Sequence, residues 1–204
     1  RLLGANRVET WRVLHEEKPG DVTDYAGIMI TGSAACVTAP EPWMDSVKGL
    51  ILDAQAADVP LLGICFGHQL IAHAIFGSAS VRKSATPEIG WTDIEILAPD
   101  SLLDGLGEGF RTFESHFDEV VAQDKMMILA RSERCSVQAY RVADSRIWGV
   151  QFHSEMSQDE AEALTVIRIQ GRPDLGFDVE RKLAAAKDST PIASRLMQNF
   201  LEAQ

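Results

Sequence analysis

A single α/β domain, with a mostly parallel central sheet flanked by helices and a more antiparallel second half, is the fold the sequence predicts. Three observations predict it. The first half alternates short apolar runs with stretches at helical spacing, the pattern of strands joined by covering helices. The connections there are short, which suits a parallel sheet covered on both faces. The second half replaces the helices with apolar–polar segments around turn residues, which pair antiparallel. Length agrees: 204 residues can bury roughly 70% of the surface the unfolded chain exposes. Residues 1–204 are therefore read as one domain, since two would be cramped.

Residues 8–14 (VETWRVL) alternate only in part and read as a strand. So early a strand, after Arg1 and no initiator Met, creates the expectation that the sequence begins inside a longer protein. Residues 25–30 (YAGIMI) form a short apolar run ending at Thr31, Gly32 and Ser33, a buried strand entering a turn. Residues 42–57 start at a Pro and carry Trp43, Val47, Leu50 and Ile51 at helical spacing. Residues 59–64 (VPLLGI) read as a second buried strand, and residues 67–76 as a helix closed by Gly77.

Beyond that point the character changes. Residues 92–97 (TDIEIL) alternate, 111–114 read as a short strand, and 126–130 are apolar. Residues 136–142 and 146–152 read as paired strands around Ala143, Asp144 and Ser145. The tail from Gln158 is helical, broken near Gly171, Pro173 and Gly176. In residues 191–201, Ile192, Leu196, Met197 and Phe200 give a last helix one apolar face for the sheet.

Composition excludes several function classes. Against 30 Asp and Glu stand 19 Lys and Arg, a formal net charge of −11. A general nucleic-acid binder needs a basic face, so none is expected. No apolar run approaches the roughly 20 residues of a membrane helix. The three cysteines, Cys36, Cys65 and Cys135, are an odd number, widely separated. They form neither a disulfide framework nor a zinc spacing, so no metal is expected and a reducing, cytoplasmic compartment fits.

The most informative stretch is Gly63-Ile-Cys-Phe-Gly-His-Gln69. An apolar strand turns sharply at Cys65, with a glycine two residues to either side, and enters a helix. This is a nucleophile elbow with Cys in place of Ser. The turn lifts the sulfur clear of the sheet, and the helix N-terminus favours thiolate. A buried cysteine in a Gly-rich turn is the alternative the local pattern leaves open. Cys36 and Cys135 lack this setting and read as packing or surface residues.

A cysteine nucleophile needs a base, and the base a group to orient it. In Gly149-Val-Gln-Phe-His-Ser-Glu155, His153 follows a strand and Glu155 lies two positions on. Strand residues at i and i+2 face one side, so the carboxylate can hold one ring nitrogen while the other faces sulfur. A surface ion pair at a strand end is the competing reading. Among the other histidines, His68 and His73 read as partly buried helix positions and His15 as part of a charged loop. His116 sits in a polar knot, Phe113-Glu-Ser-His-Phe-Asp118.

Together these motifs resemble the class I glutamine amidotransferases with a Cys–His–Glu triad. The resemblance rests on the Cys65 and His153 motifs and on Ile30-Thr-Gly-Ser33, in the family's order and spacing. The segment from Phe113 to Val120 is similar to that of stand-alone, GMP-synthetase-like members. It implies a flavodoxin-like fold of the class I amidotransferase type, with a further N-terminal strand before Val8. It also implies roles: Cys65 as nucleophile, His153 as base and acid, Glu155 as orienter. The oxyanion hole would be the Phe66 N–H and the Gly32–Ser33 turn. Gln69, Ser115, His116 and Asp118 would bind substrate, Asp118 receiving the α-amino group.

No cofactor is implied. Two departures stand out: Ser154 occupies the place of a usual Pro, and the turn at Gly32, Ser33 and Ala34 lacks the family's second Gly and Pro. Nothing in the chain could activate an ammonia acceptor, there being no phosphate-binding loop of the GxxxxGK type. A synthetase subunit is therefore the expected partner if glutamine is the substrate. The alternative is a γ-glutamyl peptidase or hydrolase using the same triad. A third, non-enzymatic reading requires the triad to be idle.

Overall fold

The structure, a computed structural model, describes residues 8–15, 17 and 19–203. Residues 8–12 have no regular structure and Val13–His15 form a 3-10 turn, so the strand expected over 8–14 does not form. Val8 and Leu14 are exposed, which leaves no apolar face to pair with a sheet. Trp11 instead meets the Tyr25 ring edge-on at 5.0 Å. The strand implied before Val8 lies outside the described residues.

The described elements run β1 (Ile28–Ile30), α1 (Pro42–Ala56), β2 (Leu61–Ile64), α2 (Phe66–Phe76), β3 (Val81–Ile96), β4 (Gly109–Val120), β5 (Met126–Arg131), β6 (Ala139–Val142), β7 (Ile147–Val150), α3 (Gln158–Gln170), α4 (Val179–Leu183) and α5 (Thr190–Glu202). One mixed seven-stranded sheet has the order β1-β2-β7-β6-β5-β3-β4. β1, β2 and β7 are parallel, and every pairing from β7 outward to β4 is antiparallel. The α/β class and the change of character along the chain both hold.

Local chemistry explains the helix ends near the site. Pro42 opens α1, where its missing N–H costs nothing. Gly77 closes α2 at φ 85°, a conformation glycine adopts freely. Ser157 and Glu160 form a reciprocal capping box on α3.

The sheet buries both faces. Leu61 and Ile147 join Met44, Ile51, Leu70 and Ile71 beneath α1 and α2. Leu62, Ile64, Trp148 and Val150 join Leu196, Met197 and Phe200 of α5 on the other face. Each such side chain contributes about 1.5–3 kcal/mol relative to exposure. A smaller cluster of Trp91, Phe113 and Ala161 lies beneath α3.

β3 and β4 depart most from expectation. The segments expected over 92–97 and 111–114 are strands of 16 and 12 residues. Pro87 and Gly90 interrupt the apolar pattern of β3, and a register shift between Lys83 and Glu88 absorbs the irregularity. In β4 the alternation is hidden because Glu114, His116 and Asp118 are buried despite their polarity. Although β4 ends the sheet order, its Phe113 carbonyl accepts a hydrogen bond from the His153 N–H at 2.8 Å. The sheet therefore curls until its last strand meets the segment after β7.

Candidate active site

Cys65 stands between β2 and α2 at φ 49°, ψ −99°. This region costs a non-glycine residue of order 1–3 kcal/mol unless the surroundings impose it. They do. The Cys65 N–H donates to the Val150 carbonyl at 2.8 Å, and its carbonyl accepts from the Gln69 N–H at 3.1 Å. The flanking glycines are required by contact. A Cβ on Gly63 would meet the His68 nitrogen at 2.6 Å and the Gly67 backbone closer still. A Cβ on Gly67 would strike the Ile30 backbone, with the carbonyl carbon at 2.8 Å. The two glycines let the elbow close against β1.

His153 reaches the cysteine by a route other than the one expected. β7 ends at Val150, so His153 and Glu155 do not share a strand face. The bond to the Phe113 carbonyl positions His153, and the loop places its Nδ1 2.6 Å from Glu155 Oε1. Burial, the largest single influence on the ring, disfavours its charged form. The Cys65 sulfur, by charge and hydrogen bond, and then Glu155, outweigh burial and hold the His153 pKa well above its ordinary value. The geometry thus favours an imidazolium beside a thiolate.

The turn after β1 completes the cluster. A Cβ on Gly32 would lie 2.7 Å from His153 Cε1 and 3.7 Å from Cys65 Cβ, so only glycine lets the turn approach both. Ser33 sits beside it and turns its hydroxyl to the Ala35 N–H at 3.1 Å. Phe66 opens α2, where first-turn N–H groups have no intrahelical acceptor.

The residues implicated in substrate binding line up along β4. The Ser115 carbonyl lies 4.0 Å from Cys65 Sγ, and the Ser115 hydroxyl is buried without a partner. Asp118 is buried; Thr38 donates to it from its N–H at 3.2 Å and its hydroxyl at 2.9 Å, with the Lys83 ammonium at 3.6 Å. The Gln69 amide donates to the Asp118 carbonyl at 2.9 Å and to Gln151 Oε1 at 3.0 Å. His116 is wholly internal, its Nδ1 3.0 Å from the Asp118 carbonyl.

A chain with this elbow, triad and order of motifs matches the family model of glutamine amidotransferase class-I over residues 5–167. The chain belongs to this family. It is 36% identical over 162 residues to the glutamine-hydrolyzing subunit of GMP synthase from Sulfurisphaera tokodaii, covering 78% of this chain and 81% of that one. The like-named protein of Sulfolobus acidocaldarius is 46% identical over 107 residues, 52% of this chain and 56% of the relative. That alignment spans little more than half the relative's length. A solved glutamine amidotransferase structure from Methylobacillus flagellatus has a TM-score of 0.74 at 25% identity, covering 96% of this chain and 84% of its own. One from Thermotoga maritima, at 21% identity, also has a TM-score of 0.74, covering 92% and 82%, and speaks for the fold alone.

Within this glutamine amidotransferase, Ser154 in place of the family's usual Pro is buried and leaves the His153–Glu155 bond intact. His68 is fully rather than partly buried, stacked on Tyr140 at 4.8 Å, and burial pushes its pKa down to about 3. Sequence reasoning missed Thr38, Lys83 and Gln151 as partners of the β4 wall, and Glu88 and Glu114 behind it. Gln151 lies inside the quoted histidine motif, two residues before His153. That offset was the available signal, since it places both side chains near β4.

Proposed function

We propose that this amidotransferase hydrolyses the side-chain amide of glutamine through a cysteine thioester. What carries the reading is a buried cysteine at a strained elbow, next to a histidine whose second nitrogen is 2.6 Å from a glutamate. Cys65 attacks the amide carbon as thiolate, and the carbonyl electrons move onto oxygen. The Phe66 N–H and a donor from the Gly32–Ser33 turn hold that oxyanion. His153, kept protonated by Cys65 and Glu155, gives its proton to the departing ammonia. A water then yields its proton to His153 and attacks the thioester, releasing glutamate and restoring the thiol–imidazole pair.

Asp118 receives the α-amino group in this reading. Lys83, whose side chain is 70% exposed, can leave the carboxylate for solvent when the substrate ammonium arrives. Ser115 and His116 contribute backbone groups, and Gln69 braces the wall. The relatives carry the name of one subunit of GMP synthase, which supports a separate synthetase chain as the consumer of ammonia. The three free cysteines suit a reducing cytoplasm. Among the described residues no helix is long and apolar enough to cross a membrane. No observation favours the γ-glutamyl peptidase alternative.

Incubation with glutamine and, separately, with γ-glutamyl dipeptides decides the substrate. Ammonia from glutamine, with or without the synthetase chain added, is the expected result. Free amine from the dipeptides with no ammonia from glutamine would overturn the proposal.

A further inference from the structure

Behind the substrate wall lies a second group of reactive residue types that the proposed reaction does not use. Glu88 is on β3, Glu114 and His116 lie two apart on β4, and Cys135 is in the connection from β5 to β6. All four are buried, with Glu114 at 0% exposure. One ligating atom from each of Glu88, His116 and Cys135 lies within 4.8 Å of the others.

The histidine tautomer is set by its surroundings. His116 Nδ1 faces the Asp118 carbonyl at 3.0 Å, and a carbonyl can only accept, so Nδ1 carries the hydrogen. Nε2 is left facing Glu88 Oε2 at 3.2 Å and Glu114 Oε2 at 3.5 Å. An imidazole held by a carbonyl on one nitrogen, with the other aimed at carboxylates, is how proteins present a histidine to a metal. A single proton between His116 and Glu88 leaves Glu114 as a second buried carboxylate. Neither Glu114 oxygen has a hydrogen-bond partner, so a proton placed there would also be buried without an acceptor. A dication satisfies all of these groups at once.

We propose that Glu88, His116 and Cys135, with Glu114 as fourth ligand, bind Zn2+. The mixed oxygen, nitrogen and sulfur set suits zinc, at about 2.0–2.3 Å per ligand, and disfavours magnesium or calcium, which prefer oxygen alone. The outer groups are in place. The Ser132 hydroxyl donates to both Glu88 oxygens, at 2.9 and 3.0 Å, and the Gln138 amide donates to Glu88 Oε2 at 2.8 Å. The Cys135 thiol donates to the Val137 carbonyl at 3.6 Å. On binding, that thiol proton leaves to solvent and the sulfur turns to the metal. The site ties β3, β4 and the β5–β6 connection together behind Ser115 and Asp118.

Cys65 and His153 are themselves thiophilic, so the test uses the whole chain carrying Cys65→Ser. After expression in zinc-supplemented medium and gel filtration, metal per chain is measured by mass spectrometry. The zinc is then exchanged for Co2+ and the thiolate-to-cobalt charge-transfer band is recorded. About one zinc per chain and a clear band are expected, both falling at least tenfold on adding Cys135→Ser. Glu88→Gln, which preserves volume, is expected to lower zinc content likewise and keeps the test sound should the cysteine variant fold poorly. Substoichiometric zinc with no cobalt band, or a band that survives Cys135→Ser, would overturn the site. None of these readouts involves glutamine, so failure here leaves the proposed function untouched.

Discussion

Cys65 with His153 and Glu155, and Cys135 with His116 and Glu88, are two sets of the same three residue types, and both lean on β4. The first reaches it through the Ser115 and Phe113 carbonyls; the second includes His116 itself. They differ in backbone geometry and in access to water. Cys65 is forced to positive φ at the mouth of a helix, whereas Cys135 sits in a connection and spends its thiol on the Val137 carbonyl. Burial, then the Glu114 and Glu88 carboxylates, push the Cys135 thiol upward, away from the nucleophilic form, with the Val137 bond opposing them. The orienting glutamates differ as well. The Glu155 side chain is 36% exposed, but that of Glu88 only 3%. Residue types alone therefore do not make a nucleophile; the elbow and its opening to solvent do.

The largest expected effect tests that contrast directly. Cys65→Ala should lower glutamine hydrolysis by roughly 10^4-fold or more, as removal of a nucleophile does elsewhere. A glutamine-like electrophile should label Cys65 and spare Cys36 and Cys135, read by peptide mass spectrometry. Labelling that persists in Cys65→Ala would break the comparison.

A smaller loss is expected from the orienter. Glu155→Gln keeps the hydrogen-bonding shape but removes the charge, and should slow turnover roughly 10^2- to 10^4-fold while leaving measurable activity. The pH profile sharpens the point. Glu155 helps to raise the His153 pKa, so the imidazolium is complete below the ordinary histidine range and is lost only as pH rises through the raised value. Without the carboxylate charge the raised value falls, and the alkaline limb of kcat should move to lower pH. An unmoved limb would show that Glu155 acts by shape alone.

Much of the first set was legible in the chain because its signals are local. Gly63, Cys65 and Gly67 stand within five residues, and their spacing follows from the room a tight turn needs. His153 and Glu155 are equally close together, although a bond to Phe113, not a continuing β7, fixes them. The second set was not legible. Glu88, His116 and Cys135 come together only because β3 passes Pro87 with a register shift and pairs with a β4 whose buried positions are charged. Hydrophobic periodicity has no way to flag a buried carboxylate. The strand expected over 8–14 failed for the opposite reason: its apolar residues were present, but without a face to bury.

The smallest effect concerns the brace between the two regions. The Gln69 amide bridges the Asp118 carbonyl and Gln151 Oε1, fixing the part of β4 that would meet the substrate ammonium while touching no reacting atom. Gln69→Leu leaves two buried acceptors without their donor, at about 1–3 kcal/mol each if nothing relaxes. The strain should fall on binding rather than chemistry, raising KM for glutamine several-fold with kcat little changed. Gln151→Leu removes one of the same bonds, so the double variant should be less impaired than the two losses added. A coupling of about 0.5–1.5 kcal/mol in kcat/KM is expected for neighbours in one network. Strict additivity would mean that the amides act separately. A fall in kcat with KM unchanged would place Gln69 at the reacting centre instead of behind the wall.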